Sequence, residues 1–327
     1  MSHYLLRRLF YAVLILIGVN LITFVLFFKV NTPDDMARMQ LGAKRVTPAA
    51  ITKWKADRGY DQPLVWNSER QGSEQLTQTI FFQKSVEMFR FEFGRADDGR
   101  DIAREISQRM WPSLALALPV FLIGMLVHIS FALLMAFFRG SYLDVGGVVL
   151  CVAMMSVSGL FYIIGGQYLV AKVWSLVPIS GYAPGMDALR FLWLPVLVGV
   201  IGGIGSGTRW YRTIFIEEVS KDYVRTARAK GLSRGQALRR HVLRNAMIPV
   251  LTVAGLQFGN LITGAIVVEN VFVLPGLGRL VFQAIANRDL VVVRDVVLFL
   301  AASVITINLI VDLLYLLIDP RLRRPAA

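Results

Sequence analysis

Cysteine is almost absent: Cys151 is the only one in 327 residues, so no intrachain disulfide can form and a disulfide-stapled scaffold is excluded. The three histidines, His3, His128 and His241, are scattered, and no His-Glu-x-x-His or cysteine cluster offers a metal site. No Gly-x-x-x-x-Gly-Lys-Ser/Thr phosphate loop occurs. The glycine-rich run 202–208 lacks the lysine and falls in an apolar stretch, so the chain is not expected to bind ATP. No catalytic residue, cofactor or metal ligand is assigned, and any work the chain does requires free energy from outside. Charge is scarce as well, at 17%, against 55% hydrophobic residues, which excludes an ordinary soluble domain.

What remains is a succession of long apolar runs. A helix rises 1.5 Å per residue, so about 20 apolar residues cross a hydrocarbon core of roughly 30 Å. Six runs qualify: 9–28, 113–138, 145–170, 189–206, 247–273 and 291–318. The fold expected is an all-α polytopic membrane protein with six transmembrane helices. The first run exceeds the usual apolar core of a secretory signal, and no small-x-small cleavage site follows before Asn31-Thr32-Pro33, so it reads as a retained anchor.

Orientation follows from cations in short loops. Arg7 and Arg8 precede the first run, Arg139 follows the second, a basic stretch follows the fourth, and Arg321, Arg323 and Arg324 follow the sixth. With six spans all four lie on one side, which places both termini in the cytoplasm. The chain then divides into a cytoplasmic tip with the first span (1–30), an external subdomain (31–111), a five-helix core (112–320) that includes the cytoplasmic connection 207–246, and a cytoplasmic tail (321–327). The polar segment 29–110 is too long for a simple connector and should hold structure of its own. Thr47-Pro48-Ala49-Ala50 opens a helix there towards Gly59.

The basic connection carries Lys221, Arg225, Arg228, Lys230, Arg234, Arg239, Arg240 and Arg244, opposed nearby by Glu217, Glu218 and Asp222. Its punctuation predicts two short helices. Ser220 is the expected cap of the first, with Asp222 in its first turn and Gly231 closing it in a left-handed conformation before Leu232. Ser233 and Gln236 have capping-box spacing and open a second helix that is expected to run to about Met247, before Pro249. Attraction to anionic lipid headgroups would need no such turn, whereas docking of a cytoplasmic protein partner would use one.

At these residues the chain resembles the permease subunits of ABC importers of the dipeptide and oligopeptide type. The run Asp222-Tyr223-Val224-Arg225-Thr226-Ala227-Arg228-Ala229-Lys230-Gly231-Leu232, followed by Arg244-Asn245-Ala246-Met247-Ile248-Pro249, is similar to their coupling loop. The general importer motif has Glu-Ala-Ala where Arg225-Thr226-Ala227 stand here, so this chain departs from it towards the peptide subfamily. Further resemblance lies in Asp61-Gln62-Pro63-Leu64, Phe93-Gly94-Arg95, Arg109-Met110-Trp111-Pro112-Ser113-Leu114 and Pro178-Ile179-Ser180-Gly181-Tyr182. It is closest in the last third: Val268-Glu269-Asn270-Val271-Phe272, Pro275-Gly276-Leu277-Gly278, Asn287-Arg288-Asp289, 308–315 and Asp319-Pro320-Arg321. Between 65 and 89 it fades, and an insertion private to this chain is expected there.

The resemblance implies the ABC importer type I permease fold with an external subdomain between spans 1 and 2, in a bacterial inner membrane. It implies four kinds of partner: a second, similar permease, two cytoplasmic ATPase subunits, a periplasmic or extracellular solute-binding protein, and a peptide-like substrate. Tyr223, Arg225, Ala227, Ala229, Lys230, Gly231 and Leu232 would form the ATPase-coupling loop. Relatives of this kind carry dipeptides, longer peptides, nickel chelates or peptide-like compounds, and the binding protein largely sets which.

Candidates for the pathway or its gate are Glu269, Asn270, Pro275, Gly276, Asn308 and Asp312. Leu277, Leu280, Val281, Ala284 and Ile285 recur at helical spacing, which fits either a helix bounding the mouth of a path or one that seals a loop. Asp312, four residues after Asn308, must face protein or water, and a structural hydrogen bond explains it more readily than transport. Asn20, His128 and Asn260 are open to both readings, and the glycines at 199, 202, 203, 205 and 207 suit close helix packing. A secondary transporter driven by protons or sodium would need embedded acidic or histidine relays, for which Asp312 and His128 are the only support. An intramembrane hydrolase would need a paired nucleophile and base, which the sequence lacks.

Overall fold

A computed structural model describes residues 2–42, 47–96, 98–259 and 265–318. Expectations about Asn260, the motif 319–321 and the tail 321–327 fall outside the described residues. The helices in chain order are α1 (Ser2–Phe24), α2 (Pro33–Leu41), α3 (Pro48–Arg58), α4 (Glu74–Thr77), α5 (Ile80–Phe89), α6 (Ile102–Phe137), α7 (Tyr142–Ser156) and α8 (Gly159–Gly166). They continue with α9 (Ala188–Val219), α10 (Asp222–Ala229), α11 (Arg234–Ala237), α12 (Leu243–Gly259), α13 (Ile266–Val271), α14 (Leu277–Ala286) and α15 (Leu290–Ile318). Among the described residues no strand forms, and the single bridge Arg95–Asp101 is isolated. The fold is all-helical, because a spanning segment must satisfy its own backbone inside hydrocarbon.

Four continuous helical stretches are long and apolar enough to cross a membrane: Leu6–Val30, Ile102–Phe137, Gly185–Val219 and Leu290–Leu313. The third expected span departs from a straight rod. Tyr142–Ser156 and Gly159–Val173 meet at 87°, because Val157 (ψ 129°) and Ser158 (ψ 142°) are extended. A hydropathy average over that run cannot register a two-residue break. The fifth expected span, 247–273, covers most of α12, which begins four residues earlier at Leu243, and all of α13, with 260–264 outside the described residues.

Two spans are longer than their apolar runs. Helix α6 begins eleven residues earlier than 113 because the Asp101 carboxylate accepts a hydrogen bond from the Arg104 amide at 3.0 Å, and Pro112 and Pro119 lie within the helix. Helix α9 continues from 206 to Val219, where Ser220 ends it.

The chain forms two compact units. In the first, Met1–Met110 with Leu280–Thr306, helix α3 starts as the sequence predicts, and α2, not anticipated from the sequence, precedes it. Thr32 makes a capping box with Asp35, Thr47 accepts from the Ala50 amide, and α3 closes on left-handed Gly59. Phe24, Phe28, Trp54, Tyr60 and Ile80 form the core of this unit. Asn20 donates to Ser85 Oγ at 2.7 Å, so a contact between elements accounts for that embedded amide.

The second unit, Trp111–Arg279 with Ile307–Ala327, has two cores. Leu116, Ile163, Leu192, Leu194, Phe272 and Leu274 make one. Ala132, Ala136, Tyr211, Phe215, Val242 and Val250 make the other, against which Val224 and Ala237 are buried. Arg212 pairs with the buried carboxylate of Asp144 at 2.7 Å and so ties α9 to the first turn of α7. Outside these cores the spans keep large apolar side chains exposed, among them Leu126, Phe161 and Trp193. Such a surface suits lipid or another apolar subunit.

Candidate functional site

The basic connection folds into an elbow. Ser220, expected to cap α10, instead terminates α9: its hydroxyl donates to the Ile216 carbonyl at 2.8 Å, and Lys221 occupies the cap position of α10 without a side-chain bond. The reason is continuity of α9, whose last turn claims Ser220 before α10 can use it. Gly231 has φ +91°, and the Leu232 amide reaches back to the Ala227 carbonyl, closing α10 where a Cβ would strain the turn. Ser233 and Gln236 form the expected capping box of α11. Beyond it the helix runs through a π-helical stretch, Leu238–Val242, into α12, and passes Pro249 instead of stopping near Met247. A proline costs one ladder bond, which an embedded helix packed on its neighbours tolerates.

The elbow has two faces. Val224 is buried in the core built by Ala132, Tyr211 and Phe215, and Ala227, three residues on, is buried as well, while Arg225, Ala229, Lys230 and Gly231 are exposed and Leu232 is half-buried. Ala227, assigned by resemblance to the coupling surface, is buried in the chain, whereas its neighbours Arg225 and Ala229 are exposed. Glu218, buried at the end of α9, accepts from Tyr223 Oη at 2.7 Å and from Lys221 Nζ at 2.5 Å. Desolvation, with the adjacent Glu218 carboxylate, pushes the Tyr223 phenol up to about 12. Arg139, just beyond α6, donates to Ser220 Oγ at 3.0 Å. The elbow is thus fastened through side chains to the ends of α6 and α9, so that displacing one requires moving the other.

A second constellation surrounds Glu269, whose side chain is buried on α13. Ser113 donates to Glu269 Oε1 at 2.6 Å, and the Arg279 amide donates to Oε2 at 3.0 Å. Gly276 packs so closely that a Cβ there would lie 2.2 Å from the carboxyl carbon. Asn270 is half-buried, and Pro275 sits in a tight turn in which the Gly276 amide bonds the Leu274 carbonyl at 2.9 Å. This brings Glu269, Pro275 and Gly276 together as one knot. In α14, Leu277, Leu280, Val281 and Ala284 are buried, whereas Ile285, expected on the same face, is exposed.

A hollow of about 310 Å³ lies elsewhere in the second unit, with His128 and Gln257 among apolar neighbours that include Leu116, Val120 and Val268. Gly203 and Gly207 lie against the imidazole and Gly205 against the Cys151 carbonyl, so small residues allow these close approaches. Asn308 is exposed and Asp312 half-buried on α15, and neither lines this hollow. Among the described residues no group of His, Cys, Asp and Glu could hold a metal ion.

Residues 112–324 match the family model described as the binding-protein-dependent transport system inner membrane component, and residues 1–86 match the N-terminal model of such membrane components. The chain belongs to this family. A Brucella abortus protein named as a peptide transport system permease is 34% identical over 328 residues, covering 99% of each chain. The dipeptide transport system permease protein DppB of Escherichia coli K12 is 31% identical over 351 residues, again with 99% of each covered. The glutathione transport system permease protein GsiC of Salmonella choleraesuis is 33% identical over 326 residues, with 99% of each chain covered. The N-terminal match runs through most of 65–89, the stretch in which the sequence resemblance fades.

This permease is therefore the inner-membrane, multi-pass component of an ABC importer, as the resemblance implies. Sequence reasoning assigned no role to Ser113, Asp144, Arg212, Glu218 or Arg279. Ser113 lies in a stretch that already resembles the family. Asp144 and Arg212 carried no local signal, because each meets its partner only when α7 and α9 pack together, whereas Glu218 and Arg279 bond groups three to ten residues away across the turns that follow α9 and α13.

Proposed function

We propose that this permease forms half of the translocation path of an importer for dipeptides, oligopeptides or peptide-like solutes. A second, similar permease supplies the other half, two cytoplasmic ATPase subunits grip the elbow from Tyr223 to Leu232, and an external solute-binding protein delivers the ligand. The chain itself is non-catalytic, with both termini in the cytoplasm and 31–111 outside. The names of its relatives support a peptide-like cargo.

The observation that carries the coupling role is the two-faced elbow. Its inner face is buried, with Val224 packed in the core at the ends of the spans and Ala227 covered, while Arg225, Ala229 and Lys230 remain available outside. Closure of the ATPases on ATP moves the elbow, and the spans rock between inward-facing and outward-facing states. Nucleotide shifts that equilibrium only through unequal binding to the two states, so the signal has to pass through a contact that moves as a rigid piece. Glu269, with Asn270, Pro275 and Gly276, serves as a fixed corner of the gate, and Asn308 and Asp312 belong to the path or its packing.

Replacing Gly231 by valine tests the elbow, since a β-branched side chain at φ +91° strains the turn. In the reconstituted complex, uptake and substrate-stimulated ATPase activity should fall together by about tenfold or more, from a backbone cost of about 1–3 kcal/mol. Normal assembly with undiminished coupling would refute the assignment.

A further inference from the structure

We propose that the elbow also holds the phosphate of an anionic phospholipid of the inner leaflet. Arg139, Arg225, Arg228 and Arg234 line one hollow of about 540 Å³. They arrive from three places: just beyond α6, the outward side of α10, and the first residue of α11. Its remaining wall is aliphatic, with Ala136, Val219, Val224, Ala237, Leu238 and Val242.

Little neutralises these four guanidiniums locally. Asp222 meets Arg225 at 3.4 Å, but both side chains are largely in solvent, so the pair is weak. Glu218 is engaged by Lys221 and Tyr223. Arg139 spends one bond on the Ser220 hydroxyl, and Arg234 lies 5.6 Å over the Phe137 ring, which leaves both guanidiniums with donors to spare.

Guanidinium forks match phosphate oxygens bidentately, and basic pockets between spans on the cytoplasmic side suit anionic headgroups. The aliphatic wall and the position beside Arg139, where the apolar run of α6 ends, favour a lipid over a free anion. A lipid seated here would touch the span ends and α10 together. The composition of the inner leaflet would then bear on coupling.

The proposal rests on the reading above for the leaflet it names. Native mass spectrometry of the assembled importer with added phosphatidylglycerol or phosphatidylcholine tests it. Wild type should retain phosphatidylglycerol selectively, and Arg139→Gln/Arg234→Gln should bind it about 30-fold more weakly. Arg139→Lys/Arg234→Lys, which keeps the charge and protects assembly, should fall between them. Equal retention of the two lipids, equal retention by wild type and the glutamine variant, or displacement by millimolar inorganic phosphate would overturn the proposal. So would an acidic side chain of an ATPase subunit filling the hollow in the assembled complex. Gly231→Val, scored for coupling in the same preparations, reports on the elbow reading without lipid, so the two failures separate.

Discussion

Ser113 and Glu269 are 156 residues apart in sequence, yet the serine hydroxyl donates to the buried carboxylate at 2.6 Å and accepts from the Leu277 amide at 2.8 Å. One hydroxyl thereby joins α6 to α13 and to the start of α14. Ser113→Ala leaves a buried carboxylate oxygen and a backbone amide without that partner. The expected loss is about 1–3 kcal/mol, read as a lower melting temperature of the purified complex. An unchanged melting temperature would show that other groups replace the hydroxyl at no cost.

Val273 adopts φ +61°, a region that β-branched residues avoid, and the Arg279 guanidinium donates to its carbonyl at 2.9 Å. Val273→Gly should relieve the strain and stabilise the permease by about 1 kcal/mol, since the relief exceeds the extra chain entropy. Thermal denaturation in detergent measures this, and a destabilised variant would mean that the valine side chain contributes more by packing than its backbone costs.

Asp144 and Arg212 form a pair in which the aspartate side chain is only 7% exposed. Removing the carboxylate alone, by Asp144→Ala, leaves a half-buried cation and should cost about 3 kcal/mol. Asp144→Ala/Arg212→Ala should recover part of that loss in a double-mutant cycle. Strict additivity of the two single losses would argue against a direct interaction.

The Tyr223 phenol, pushed up to about 12 from an ordinary value of about 10, gives a pH test. Folding favours the protonated form, so this contribution to stability is fully present below about pH 10 and is lost as pH rises towards 12. Phenolate absorbance, taken as the difference between wild type and Tyr223→Phe, should titrate near the upper value. Glu218→Gln should lower it only in part, because desolvation is the larger cause. A midpoint near 10 in the wild type would remove Tyr223 from the fastening of the elbow.

Much of the site was legible because its signals are local. Gly231, the Ser233 and Gln236 box, and Thr47 before α3 each act within one helical turn, and their geometry follows from spacing alone. Ser220 was misjudged because two helices compete for it, and Pro249 because a packed helix tolerates a missing amide that an isolated one does not. The 87° bend at Val157 and Ser158 stayed hidden because mean hydropathy has no direction.

The sequence by itself determined that this chain is helical and embedded in a membrane, and where the basic elbow turns, since hydrophobic length and capping are short-range physics. Tertiary structure decided which side of α10 is buried, that Ala227 is covered, and that Glu269 meets Ser113 and the Arg279 amide. Those outcomes depend on which helices meet, and desolvation in the packed interior makes each such partner obligatory.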